Sequence, residues 1–387
     1  MFKSSVTIAS VAGIPIRIHI SFLFILPFFV MVIANNVAAI AGMAGVAVES
    51  LTLSPYWLGF ALAVLLFASI ALHELAHSFV ARGQGIEIRD ITLMLLGGVA
   101  QMEDDGHDPR GEAWMALAGP LFSLVLGASL LLLVRFTSDL LSADLHIVLY
   151  YLGFMNTFLA VFNLLPAFPS DGGRILRSLL ARRISYLRAT QIATSIGRGF
   201  AFLFAVFGLM TGQLFMILIG LFIYIGASQE YQFNLLQETF SGFTVSDLMT
   251  SNVSTVREEM TAQQLLDRMF EEKHSGFPVL DEDGDLVGCV TMEDVRSATL
   301  EGRQDRIGDI MSRQIISVRP DDDLFSAFKK LSAANIGRLL VVDGEELAGI
   351  ITRSDIMKAY RLKSIQEERG RREAPRNRLP TVRGTGG

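Results

Sequence analysis

The chain carries a single cysteine, Cys289, among its 387 residues. That excludes an internal disulfide and a zinc cluster built on thiolates, so a metal held here needs histidine and carboxylate ligands. A large excess of basic charge is missing too. The net charge is −6 with histidine neutral, which argues against nucleic acid as the main partner. Charge is also locally scarce: Leu51–Leu72 holds no Asp, Glu, Lys or Arg. No cleavable signal peptide is expected, because the apolar run after Lys3 and Arg17 continues well past signal-peptide length.

What is present divides near residue 227. Apolar residues make up 51% of the chain and charged ones still 19%, so a membrane part and a soluble part are expected, not one uniform domain. Residues 1–18 alternate apolar and polar around a Gly-Ile-Pro turn and read as a short strand pair. His19 follows at the membrane entrance, most simply as a hydrogen-bonded packing residue. Apolar spans are expected at about 20–48 (with an external loop at its end), 56–80, 112–134, 146–165, 191–209 and 213–227. Arg82, Arg89 and Arg110 follow the second span, and Arg174, Arg177, Arg182, Arg183 and Arg188 follow the fourth. The other loops hold only Arg135. Basic residues mark the inner side, so six spans with both termini cytoplasmic are expected.

The stretch with most chemical content is HELAH at 73–77. Two histidines four apart on a helix lie about 40° apart around its axis, so His73 and His77 can reach one ion. Glu74, between them, is placed to act as a general base. The motif closes an apolar helix of membrane length, where ionisable side chains are costly and by default functional. His77 lies just before Arg82, which puts the site roughly 8–14 Å inside the cytoplasmic boundary at about 1.5 Å per residue.

Two histidines do not complete a catalytic zinc site; three protein ligands and a water are usual. Asp171 is the best third ligand, ending a Pro-rich stretch and preceding two glycines, although an Asp there also suits a helix N-cap. Asp104, Asp105 and His107 are rivals in a loop that reads as solvated. Asn163 can offer amide hydrogens to a developing oxyanion, or satisfy a neighbouring helix. Residues 86–103, with the pair Gly97-Gly98, read as a strand or hairpin at the membrane boundary, or as a packed amphipathic loop.

Beyond residue 243 the chain repeats itself at an offset of about 61 residues. DLMT at 247–250 matches DIMS at 309–312, GFPV at 276–279 matches GRLL at 337–340, and GCVTMED at 288–294 matches GIITRSD at 349–355. Two similar α/β units packed face to face are expected.

These motifs resemble the site-2 proteases, zinc metalloproteases that cut transmembrane segments within the bilayer. The similarity covers the chain to about residue 360 and is closest to archaeal and bacterial members with a C-terminal pair of CBS (cystathionine β-synthase-type) domains. HELAH matches the family's H-E-x-x-H, and NLLPAFPSDGGR at 163–174 matches its N-x-x-P-x-x-P-x-D-G. The resemblance implies one Zn2+ held by His73, His77 and Asp171, Glu74 as general base and acid, and Asn163 holding substrate or transition state. Pro166 falls in the same substrate-side motif. LLGGVAQ at 95–101 resembles the family's boundary hairpin, which implies that Gly97 and Gly98 lie where an unwound substrate pairs as an added strand.

In the repeats, G-x-x-T-x-x-D resembles the CBS motif whose Thr contacts phosphate and whose Asp accepts from ribose hydroxyls. Those roles fall to Thr291 and Asp294, and to Thr352 and Asp355, with Arg338 as an added phosphate contact. An adenine nucleotide (ATP, ADP or AMP) is the implied regulatory ligand; a purely structural dimerisation module is the other reading.

The expected organisation is therefore a polytopic α-helical membrane domain (1–227), a linker (228–243), CBS repeats at 244–300 and 301–362, and a basic tail (363–387) expected to be disordered. The expected partners are a transmembrane protein substrate, the lipid bilayer of a prokaryotic-type cell membrane, and further copies of the chain through the CBS domains. The competing function is a CBS-gated membrane transporter with an intramembrane His/Asp metal site. A transporter is expected to show repeated transmembrane halves and pathway charges on several spans, and neither is visible.

Overall fold

The computed structural model describes residues 5–94, 97–103, 109–300, 306–358 and 360. They form two compact units, one ending at Asn234 and the other starting at Leu235.

The first unit opens with strands β1 (Ser5–Val11) and β2 (Ile14–His19), paired antiparallel around Ala12 and Gly13, both at positive φ. Consecutive positive φ values suit the turn to the right-handed twist of a hairpin. Strand β3 (Glu87–Met94) adds parallel to β2, and β4 (Gly97–Glu103) adds antiparallel to β3. The order is β1-β2-β3-β4, so β4 lies at a sheet edge. Ile14 and Ile91 turn inward and are buried with Leu75 from the helix beneath. Buried Asp90 is held by Thr92 Oγ1, which donates at 2.7 Å, and by Arg17 at 3.6 Å. The strand expected within 86–103 is found over Glu87–Met94 and Gly97–Glu103. His19 accepts from the Ser21 amide at 3.2 Å and meets its hydroxyl at 2.8 Å, a local turn contact.

Helices α1 (Phe22–Asn35) and α2 (Val37–Ala44) meet at a 60° bend. The break falls at Asn36, whose side chain donates back to Val32 O at 2.8 Å. The remaining helices are α3 (Pro55–Gly83), α4 (Pro109–Thr137), α5 (Ala143–Asn163), α6 (Asp171–Ala181), α7 (Tyr186–Thr211) and α8 (Leu214–Phe240). Five of them, all but α6, are long and apolar enough to cross a membrane, and the bent α1–α2 pair would be a sixth span. The first expected span falls on this bent pair.

Helix α3 is the centre. Half of its apolar window is buried, against 17% for α8. It starts sharply because the Ser54 hydroxyl caps the Trp57 amide and Pro55 supplies a preset first turn. Helices α4 and α5 pack closely at Gly127 and Gly153; a methyl group at 127 would sit 2.8 Å from Gly153 O. Small residues allow such approach where no hydrophobic drive between helices exists.

In the second unit, strands β5 (Val256–Arg257), β6 (Gly276–Leu280) and β7 (Leu286–Thr291) form one sheet, and β8 (Ser317–Val318), β9 (Arg338–Asp343) and β10 (Glu346–Thr352) form another. Helices α9 (Ala262–Glu272), α10 (Met292–Leu300), α11 (Ile307–Ile310) and α12 (Leu324–Ala334) follow the same repeat. The leading segments are exchanged. Thr250, before the first repeat's sheet, bridges to Ile350 on β10, while Ser312, before the second repeat's sheet, bridges to Cys289 on β7. Where the sequence suggests a linker at 228–243, α8 continues unbroken to Phe240. Phe240 is 1% exposed, packed with Val318, Leu324 and Leu339 of the second repeat.

Candidate metal centre

Helix α3 carries His73 and His77 one turn apart on its buried face, 3% and 6% exposed. Asp171 is the first residue of α6. Its position depends on the loop before it, which folds back so tightly that a methyl group at Gly172 would meet Leu165 O at 2.2 Å. The same loop contains the cis peptide Phe168–Pro169 and buries the Phe168 ring.

The three side chains converge. Asp171 Oδ2 lies 3.2 Å from His73 Nε2 and 3.1 Å from His77 Nε2, and the two nitrogens are 3.2 Å apart. The other ring nitrogens decide what this means. His77 Nδ1 lies 2.7 Å from Met115 O, a carbonyl that only accepts, so Nδ1 holds the proton. His73 Nδ1 meets the Ser123 hydroxyl at 2.9 Å. A neutral imidazole protonated on Nδ1 presents a lone pair at Nε2. Lone pairs facing a carboxylate oxygen at 3 Å repel unless a cation lies among them, so the donor set fits a metal ion, and two His with one Asp suit zinc. Among the described residues no other three His, Cys, Asp or Glu side chains come together in this way. Asp104, Asp105 and His107 lie outside the described residues.

Two backbone approaches shape the site. Helix α4 crosses it at Gly119, where a Cβ would fall 2.3 Å from His77 Nε2 and 2.7 Å from His73 Nε2. Strand β4 crosses it at Gly98, where a Cβ would fall 2.7 Å from Glu74 Cγ. Real Cβ atoms do not tolerate such distances, so only glycine keeps the rings and Glu74 where they are. Gly97 precedes it on the same edge strand. Sequence reasoning missed Gly119, Ser123 and the Met115 carbonyl.

Asn163, at the end of α5, donates Nδ2 to Leu159 O at 3.0 Å. Pro166 is exposed in the loop between Asn163 and Asp171.

In the second unit each motif Asp is engaged with its own Thr. Asp294 Oδ2 accepts from the Thr291 amide and hydroxyl, both at 2.7 Å, and Asp355 Oδ2 accepts from the Thr352 hydroxyl at 2.6 Å and its amide at 3.2 Å. Arg338 donates to Gly276 O at 2.8 Å and to the Ser275 hydroxyl at 2.6 Å, so its guanidinium ties the second repeat to the first. A cavity of about 800 Å³ opens elsewhere, at the β6–β7 and β9–β10 turns, and none of these five residues lines it. Desolvation pushes the thiol of the half-buried Cys289 up, which disfavours the thiolate.

The chain matches Peptidase family M50 over residues 61–141 and 135–206, and the CBS domain over 245–301 and 307–362. It is 36% identical to zinc metalloprotease MJ0392 of Methanocaldococcus jannaschii, an alignment covering 94% of this chain and 98% of the relative. Among solved structures it is similar to a site-2 protease from the same organism, with 35% identity, 59% of this chain and 95% of that one covered, and a TM-score of 0.41. CBSX2, solved in complex with AMP, is 29% identical over 33% of this chain and 99% of its own, with a TM-score of 0.30. The chain therefore belongs to the M50 zinc metalloproteases, as an integral membrane member that carries a CBS domain pair.

Proposed function

We propose that this protein is an intramembrane endopeptidase of the site-2 type, hydrolysing peptide bonds within transmembrane segments of other membrane proteins. The observation that carries the reading is the convergence of His73, His77 and Asp171, buried at the end of a membrane-length helix that also bears Glu74. Zinc held by these three side chains would polarise a scissile carbonyl and acidify water to near neutral pKa. Glu74 takes the proton of the attacking water and returns it to the departing amine. Asn163 spends one amide hydrogen on Leu159 O and has a second for a developing oxyanion.

A transmembrane helix ties its carbonyls into internal hydrogen bonds, so substrate must unwind before it can react. The edge strand β4 offers backbone donors and acceptors to such an extended segment, with Gly97 and Gly98 bringing that edge against Glu74. Pro166, exposed beside Asn163, would face the same segment.

The basic loops support both termini on the cytoplasmic side with α1–α2 as the first of six spans. The paired G-x-x-T-x-x-D motifs support an adenine nucleotide at Thr291, Asp294, Thr352 and Asp355 that modulates cleavage. The engagement of Arg338 with Ser275 and Gly276 favours a repeat-joining role for it over a phosphate contact. The CBS pair also offers a surface for association between copies. A transporter reading has no use for Glu74 beside the edge strand.

Membrane proteomics comparing wild type with Glu74→Gln tests the proposal. Uncut transmembrane fragments should accumulate in the variant. Full proteolysis by purified Glu74→Gln protein would overturn the general-base role, and with it this mechanism.

A further inference from the structure

Six residues after Asp171, on the same short helix, Arg177 is 5% exposed. Its Nε donates to Glu112 Oε1 of α4 at 2.9 Å, and Nη2 donates to the same oxygen. Nη1 donates to Glu230 Oε1 at 2.6 Å and reaches Asn234 Oδ1 at 3.4 Å, both on α8. The guanidinium carbon lies 4.8 Å from the centre of the Phe168 ring and 4.7 Å from that of Tyr186 on α7. One planar cation is therefore fixed by α4, α7, α8 and the loop that leads into Asp171.

A basic residue after a span is read by default as a topology signal on the solvated side. Arg177 does not behave as one, because its charge is buried between two carboxylates and two aromatic faces. Desolvation penalises the ion, yet Glu112 and Glu230 outweigh it and keep the guanidinium firmly charged. A buried pair of this kind contributes little net stability over an apolar replacement, whereas removing one partner leaves a stranded charge. Its value lies in geometry: the guanidinium fork fixes direction as well as distance.

The α8 side of this clamp is itself braced. Glu230 and Asn234 are one turn apart, with Asn234 Nδ2 donating to Glu230 Oε1 at 3.1 Å and so holding that carboxylate in place. We propose that Arg177 is a positioning residue through which α8 sets the placement of Asp171. This rests on the zinc reading of the site.

The test uses full-length protein in detergent, with zinc affinity by chelator competition and the visible spectrum of the cobalt-substituted protein as readouts. Arg177→Met should weaken zinc at least tenfold and shift the cobalt bands, with kcat lowered and KM little changed. Arg177→Lys, which keeps the charge and loses the fork, should restore only part of the affinity. The α8 arm is tested alone by Glu230→Gln combined with Asn234→Leu, which should weaken zinc several-fold and move the cobalt bands in the same direction. If Arg177→Met does not fold, this pair decides. Wild-type affinity and an unshifted spectrum in the α8 double variant would overturn the proposal while leaving the zinc site standing. Failure of wild type itself to bind zinc would instead overturn the reading beneath it.

Discussion

Gly119 and His77 belong to different membrane helices, yet a methyl group on the first would sit 2.3 Å from the Nε2 of the second. The helix crossing, and not the motif, thus sets how much room an ion has. Gly119→Ala should cost zinc affinity by about 10- to 100-fold, on the scale of other disturbances around a metal's ligands. Chelator competition measures it, and near-wild-type affinity would mean that α4 yields easily.

Gly98 stands in the same relation to Glu74 on the other side of the site. Gly98→Val should therefore abolish cleavage while zinc content stays at about one per chain. Metal analysis of purified protein beside a cleavage assay separates the two effects. Loss of zinc together with activity would show that β4 braces the metal ligands as well.

Ser123 holds the ring nitrogen of His73 that faces away from the centre. Ser123→Ala leaves all three ligands and frees one of them to turn. Zinc affinity is expected to fall about tenfold, with a smaller loss than in Asp171→Ala. The comparison is made by zinc release on titration with a chelator.

Asp294 and Asp355 each bind the amide and hydroxyl of their own Thr, which also anchors the start of the following helix segment. Asp294→Ala with Asp355→Ala should abolish any response of cleavage to ATP, ADP or AMP, leaving zinc-dependent activity in place. It should also lower the stability of the CBS pair by about 1 kcal/mol per site even without nucleotide, the usual cost of a lost cap. Thermal unfolding without and with nucleotide distinguishes the two contributions.

Cys289 offers a reporter for that unfolding. Its raised thiol pKa follows from burial, so the folded protein holds the proton to higher pH than an unfolded chain does. Maleimide labelling at pH 7.5 should be slow in the native state and should accelerate as the first repeat opens, at about pH 7–8 where a free thiol already ionises in part. Fast labelling of folded protein would contradict the burial.

The convergence of His73, His77 and Asp171 was legible because metal chemistry constrains the spacing of the two histidines within one helix turn and calls for a third ligand from a turn-rich loop. The repeats were legible because the same motif occurs twice. Gly119 was not, since a glycine in an apolar run looks alike whether it faces lipid or an imidazole; Gly98 stood out beside Gly97, but its approach to Glu74 did not. Arg177 was visible only as one of several basic residues, because partners 65 and 53 positions away cannot be paired from a linear reading. An external loop was expected at the end of 20–48, where the structure has helix α2, because Gly and Ala read as loop in a line of sequence; Asn36 donates to Val32 O at the 60° bend before it. Residues 228–243 were expected as a linker from their rise in charge; what the sequence did not show is that helix α8 runs through them to Phe240.

The exchange of Thr250 and Ser312 between sheets has a consequence for how this chain can be divided. Each repeat's opening strap lies on the other repeat's last strand, so a break at the repeat boundary would leave two halves, each without the strap that it takes from its twin. Neither half is a transferable part. The smallest piece that could be grafted onto another membrane enzyme runs from the buried Phe240 to Tyr360, which pack ring against ring at 6.2 Å.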